Sequence, residues 1–373
     1  MEESMLKFNN NILSCITKYL NRDDLRCMSL VCRSWSVAVK NERKSRGPFC
    51  KVIQTNISSS DGWRTEKEEL VESCPFYPSL TFFFTNGRFK KNYLKREFKH
   101  IFILIRRISL LRIIFSFLEC TCLENPGYTV LIENFYPSTT IHKLMSMFFP
   151  ADNSITISSM TLRYLPKKNE VFYKEGNEIF DGDFNNAEIL KTSLKSFFNS
   201  DNLFKGCIIL LCRENCLFLA KNLARALKNW YPKHEPILWG GAVKGLSGTN
   251  FLINPHMCET SADCITILIT GTDMETSTLL LDENLYSDEM IKNKLETFRK
   301  NISLKRHSIG FLFSKRITLS FVSKLPIFQE IFKHIPLIDI TGSEAFEESL
   351  KDLMKLNVNI KPKIAFMILT YNN

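Results

Sequence analysis

The side chains able to do chemistry are scattered along this 373-residue chain, and their spacing limits what they can do. Cys207, Cys212 and Cys216 form the densest thiol group. Zinc sites need short, repeated ligand intervals with a matching pair further on, and neither the spacing nor a following His pair is present here. Cys120 and Cys122 form a lone Cys-x-Cys. The carboxylate pairs Asp23–Asp24, Glu68–Glu69 and Glu347–Glu348 read as helix starts or solvated faces rather than as acid–base couples. The six histidines show no H-E-x-x-H spacing, and the chain has neither a phosphate loop nor a G-x-S-x-G elbow. The expectation is therefore a chain with no catalytic group of its own, no metal and no cofactor. Gly240–Gly241, at the end of an apolar run, is a candidate ligand turn, because glycine lets backbone approach a small molecule closely.

Binding is the chemistry the sequence advertises. Asn10 to Asn41 reads as two short amphipathic helices separated by a polar Asn-Arg-Asp-Asp turn. Ile12, Leu13, Ile16 and Leu20 recur at steps of three and four along the first. Asp23 is placed to cap the second, along which Leu25, Met28, Cys32, Trp35 and Val39 form one stripe. Leu30, Val31 and Ala38 widen the apolar surface beyond it. A helical unit this small cannot bury so much apolar surface unaided, so it must dock on something.

The elements after Gly47–Pro48 belong to a different architecture. Residues 79–86 read as a buried strand, 139–150 as a helix stopped by proline and 154–165 as an alternating strand. Residues 187–198 read as a helix. Gly206 to Cys212 is continuously apolar, as in a strand covered on both faces. A helix over 215–232 and a strand over 236–243 then complete a strand–helix–strand crossover. Residues 263–270 and 277–284 read as a strand pair around Gly271–Thr272. Beyond Ser287, which sits as an N-cap, the order is helix, strand (307–314), helix (326–336), short strand (336–341), helix (343–356) and closing strand (363–371).

Composition fits a folded α/β chain: 45% hydrophobic and 24% charged residues do not point to disorder. The twelve cysteines follow an acidic, polar amino terminus with no secretory pattern, which points to thiols in a reducing, cytosolic or nuclear setting. The net charge of +10 gathers partly at Arg88, Lys90, Lys91, Lys95, Arg96, Lys99, Arg106, Arg107 and Arg112. No nucleic-acid-binding signature accompanies that run, and a solvated face is the expectation. Residues 100–118 approach the length of a membrane span but carry three arginines, each costing about 2.5–3.5 kcal/mol near a bilayer centre. Neither a nucleic-acid partner nor a membrane is expected.

The run Leu30-Val31-Cys32-Arg33-Ser34-Trp35, with Leu25 before it and Ile16 and Leu20 upstream, resembles an F-box. The usual Leu-Pro opening is replaced by Phe8 and Asn9 to Asn11, and the usual Pro after the first helix by Asn21. The later order, with Trp239-Gly240-Gly241 and residues 307–314 leading to residues 334–342, resembles a FIST domain with N- and C-terminal parts. The FIST likeness is closest over 205–333 and absent over roughly 93–126. The pair of resemblances implies an α/β (α+β) FIST-like body preceded by a small all-α F-box helical domain. The implied divisions are an F-box over 5–46, a FIST N-like domain over 51–285 with an insertion at about 93–126, and a FIST C-like domain over 286–373.

What the F-box resemblance implies is docking to a Skp-type adaptor, and through it to a cullin–RING ubiquitin ligase. The implied adaptor-binding residues are Ile12, Leu13, Ile16, Leu20, Leu25, Met28, Leu30, Val31, Cys32 and Trp35. The body would present an unidentified target protein for ubiquitination and proteasomal degradation, acting through proximity. The alternative is a small-ligand (metabolite) sensor built on the FIST-like body around Gly240–Gly241. Against it, the glycine-rich turn usual in FIST proteins is replaced by Asp339 to Glu344, which holds only Gly342, and an expected arginine-glycine turn reads Lys315-Arg316-Ile317.

Overall fold

The computed structural model describes residues 11–56, 73–76, 78–85, 112–117, 121–125, 128–132, 141–150, 155–165, 170–175, 178–183, 206–220, 222–223, 237–243, 245–250, 260–261, 263–282, 287–315, 325–333, 335–342, 344–348 and 363–372. Three helices come first: α1 over residues 11–17, α2 (Arg22–Met28) and α3 (Arg33–Ser45). Strands β1 (Phe49–Asn56), β2 (Pro78–Thr85), β3 (Arg112–Phe117), β4 (Thr121–Asn125), β5 (Tyr128–Ile132) and β6 (Ile141–Pro150) follow. Next are β7 (Ile155–Leu165), β8 (Glu170–Glu175), β9 (Glu178–Asp183), β10 (Gly206–Arg213), β11 (Ile237–Val243), β12 (Gly245–Asn250) and β13 (Thr260–Ser261). The remainder is β14 (Cys264–Gly271), β15 (Met274–Asp282), α4 (Asp288–Asn301), β16 (His307–Lys315), α5 (Leu325–Ile331), β17 (Leu337–Gly342), β18 (Glu344–Glu348) and β19 (Lys363–Tyr371).

The result is a mixed α/β body. Its sheets run β1-β6-β2-β3-β12-β13, β18-β11-β10-β14-β7-β8-β9 and β15-β19-β16-β17, with a separate β4-β5 pair. β10 is buried over Cys207–Cys212 and lies parallel to β11, with Cys207 opposite Ile237. Parallel neighbours need a crossover, which here starts with a 3-10 turn (Glu214–Cys216) and helical residues 217–220. Leu219, Ala220 and Leu223 are buried there.

Strand periodicity divides the core. On β19, Ala365, Met367, Leu369 and Tyr371 enter one apolar cluster, and Ile364, Phe366 and Ile368 enter another. The first cluster joins the three large sheets, with Phe82 and Met147 from one, Ile209 and Trp239 from the second and Phe311 and Phe313 from the third. The second lies under α4 and α5, where Ile291, Leu295 and Phe328 meet Phe366. Ser287 caps α4 by accepting from the Met290 N–H at 3.3 Å, as its sequence implies.

Several expectations need correction. Residues 141–150 form β6, not a helix: it pairs with β1 and β2, placing Phe148 opposite Phe49 and Met147 opposite Phe82. A short apolar run has no decisive period, and two available strand neighbours settled the matter. Residues 344–348 form β18 rather than opening a helix, because the edge of β11 takes them, with Ala242 opposite Glu344. β14 and β15 are not a hairpin. β10 and β7 occupy both edges of β14, so β15 turns into another sheet and pairs with β19.

Within the stretch read as an insertion, β3 lies between β2 and β12 in a sheet. Across the division at 285/286, β15 pairs with β19 and β18 with β11. The helix expected over 187–198 lies outside the described residues, as do residues 100–111 of the apolar basic stretch. Among the described residues no helix is long and apolar enough to cross a membrane.

Candidate docking surface

The amino-terminal module is three helices rather than two, because the chain leaves the helix after Met28. The Ser29 hydroxyl donates to the Arg26 carbonyl at 2.6 Å, competing with helical continuation. The Leu30 and Val31 N–H groups then bond back only three residues, to Cys27 and Met28, and Cys32 is fully extended (φ −162°) before α3 begins. The stripe expected along one helix from Leu25 to Val39 is thereby broken. The cap of α2 is Asn21, not Asp23: the Asn21 Oδ1 accepts from the N–H groups of Asp23 at 2.9 Å and Asp24 at 2.8 Å. Asp23 and Asp24 instead occupy the first turn, where negative charge suits the helix dipole.

The break sorts the expected docking residues into distinct environments. Leu25 is only 1% exposed, and Ala38 and Val39 of α3 are buried as well. Its place in a partner interface is therefore corrected to a core role. Leu13, Leu20, Met28 and Trp35 are half-buried. Ile12, Ile16, Leu30, Val31 and Cys32 are exposed, Leu30 at 82% and Val31 at 61%. Leu30 and Val31 stand outward because they occupy the non-helical turn, where no neighbouring helix face is presented to them.

Two exposed apolar residues escaped the sequence reading. Tyr19 is 90% exposed and lies in the turn just after α1, three residues beyond Ile16, a spacing that could have revealed it. Val37 on α3 is the other. The same module exposes Lys18, Arg26, Arg33, Lys40, Arg43 and Lys44 against the acids Asp23 and Asp24, so its surface is predominantly basic.

The glycine pair does not form a turn. Gly240 and Gly241 lie buried inside β11, opposite Leu210 and Leu211 of β10 on one edge and Phe346 and Ala345 of β18 on the other. Gly240 has φ +148°, and a Cβ there would fall 1.9 Å from the Leu210 carbonyl oxygen. Close packing of strands explains the residue, not approach of a ligand.

The thiols regroup as well. The register sets Cys212 opposite Cys264, with Cys216 on the turn just beyond β10. Cys207 lies apart from this group, opposite Ile269 and five register positions along β10 from Cys212. Burial pushes the Cys216 thiol up to about 11, helped by the nearby Asp263 carboxylate, which Arg213 pairs at 3.2 Å. The Cys264 thiol is also held well above its ordinary range by burial. Among the described residues no group of three or more His, Cys, Asp or Glu could hold a metal ion.

No protein-family model and no curated protein matches the sequence. Among solved structures, the chain aligns with a cyanuric acid hydrolase from A. caulinodans at 8% identity and a TM-score of 0.38, over 87% of this chain and all of that one. A second cyanuric acid hydrolase structure aligns at 8% identity and a TM-score of 0.35, again over 87% and 100%. The expectation that the chain has no catalytic function is not upheld: both structures it aligns with are named as hydrolases. At these TM-scores the likeness carries no argument for a particular reaction, and no activity is assigned.

Proposed function

We propose that the chain is the substrate-recognition subunit of a Skp–cullin–F-box ubiquitin ligase, with the helical module as an F-box and residues 51–373 as a FIST-like body that presents a target protein for ubiquitination. The work would take place in the cytosol or nucleus. The observation that carries this reading is the exposure of Leu30 and Val31 in a module whose Leu25 and Val39 are already buried. Fully burying one such side chain is worth about 1.5–3 kcal/mol, so a partner covering several of them gains a central apolar contact. The module's predominantly basic surface then favours a partner that carries acidic groups.

The test is co-purification of the full chain with a Skp-type adaptor, comparing wild type with a Leu30→Asp, Val31→Asp variant. Capture by wild type and its loss in the variant is the expected result. An adaptor that ignores the wild-type chain, or that binds the variant equally well, would sink the assignment. The metabolite-sensor alternative draws no support from Gly240–Gly241, which strand packing accounts for.

A further inference from the structure

The residues that fasten the helical module to the body are not those its sequence motif emphasises. Arg46, just past α3, makes the central connection. Its Nη1 donates to the Pro75 carbonyl at 2.6 Å, and its Nη2 donates to the carbonyls of Leu20 at 2.7 Å and Thr17 at 3.2 Å. Its Nε donates to Glu42 Oε1 at 2.9 Å. Both partners of that ion pair are only 9% exposed. One guanidinium thus closes carbonyls at the end of α1, braces the last turn of α3 and reaches a body segment whose flanking residues, Cys74 and Phe76, are buried.

A second body element grips the same end of α3. His307, at the start of β16, is buried, and its Nε2 lies 3.1 Å from the Lys44 carbonyl. A carbonyl only accepts, so Nε2 carries the hydrogen. The ring packs against Tyr371 of β19, 5.2 Å between centroids, which anchors it to the four-stranded sheet. Gly47 passes directly over the other ring nitrogen: a Cβ at Gly47 would fall 2.3 Å from His307 Nδ1. Pro48 follows, with its φ fixed by its ring. The chain enters β1 one residue later.

We infer that Arg46, Gly47 and His307 form a rigid joint that fixes the docking face of the helical module relative to the α/β body. The two body contacts come from segments far apart in sequence, and both converge on residues 44–47, so a swing of the module would have to break both together. Arg46 and His307 are positioning residues: they set where a target held by the body lies with respect to whatever binds the module. This consequence rests on the proposed receptor role, whereas the joint itself does not.

The experiment measures the spin–spin distance distribution in the full chain. Exposed Cys15 and Cys27, together with Cys120, Cys122 and Cys258, are changed to Ser, and labels are placed at native Cys32 and at Lys300→Cys on α4. A narrow single distribution is expected with the joint intact. Gly47→Ala, which crowds His307, and His307→Ala, which removes only the body's side of one contact, should each broaden or shift it while α1 to α3 keep their amide-exchange protection. A broad distribution in the intact joint, an unchanged one in both variants, or loss of the module's protection in His307→Ala would overturn the inference. Adaptor capture measured on the unlabelled wild-type chain, with its native cysteines, separates the two proposals: failure to bind removes the receptor reading and leaves the distance result standing.

Discussion

The indole N–H of Trp239 donates to the Ala365 carbonyl across 3.2 Å, joining β11 of the seven-stranded sheet to β19 of the four-stranded one. The ring is fully buried and packs at 5.2 Å against Phe311 and 5.9 Å against Phe313. This is the point where two sheets are held both by apolar packing and by a directed bond. Trp239→Phe should cost about 1–3 kcal/mol, from a smaller ring and a buried carbonyl that loses its donor. Urea unfolding of the full chain measures it, and a change below about 0.5 kcal/mol would remove Trp239 from this central role.

The environments of Leu25 and Leu30 give a paired prediction. Leu25→Ala, inside the module, should lower stability by about 2–5 kcal/mol. Leu30→Ala, on the exposed turn, should stay within about 0.5 kcal/mol of wild type and still weaken adaptor capture. Thermal unfolding and pull-down on the same two variants decide between a core and a docking role for each.

Asn21 and Asp23 differ in the same way. Asn21→Ala removes the acceptor for two N–H groups and should cost about 1 kcal/mol. Asp23→Ala removes only a first-turn charge, with an effect of about 0.3–1 kcal/mol at low salt that shrinks as salt rises. Helix amide exchange in α2 distinguishes them: fraying should be greater for Asn21→Ala and insensitive to salt.

Thiol chemistry should divide by exposure. Cys15, Cys27 and Cys32 are exposed and should react first with a maleimide, with Cys32 protected when the adaptor is bound. Burial pushes the thiols of Cys74 and Cys207 up to about 12 from an ordinary 9.0. A folded-state pKa raised above the unfolded value means the stabilisation is complete below pH 9 and is lost as pH rises towards about 12. Stability measured by denaturant between those values should therefore fall with rising pH, less steeply in a Cys207→Ala background. A flat profile in that window would contradict the buried placement of these thiols.

Much of the body was readable because its signals are local. Gly206 to Cys212 is apolar without interruption and short, as in a strand covered on both faces, and it is buried over Cys207–Cys212. Ser287 followed by two acids marks a helix start wherever it occurs. The same logic found the four-residue step of Ile12 and Ile16, both of which lie exposed. It failed at residues 141–150 and 344–348, where the sequence suits either state and the neighbouring strand edges made the choice.

By itself, the chain's sequence determined which stretches are apolar, where several helices begin and that a small helical unit carries more greasy surface than it can hide. The tertiary structure alone decided which of those residues face inward, because burial depends on what lies opposite: Leu25 is covered to 1% exposure, while Leu30 sits in a turn at 82%. It also decided that His307, silent in any local pattern, meets the Lys44 carbonyl from most of the chain away, and that Arg46 reaches the Pro75 carbonyl. Contacts between residues so far apart leave no periodicity to read, since only the folded path brings them within bonding distance.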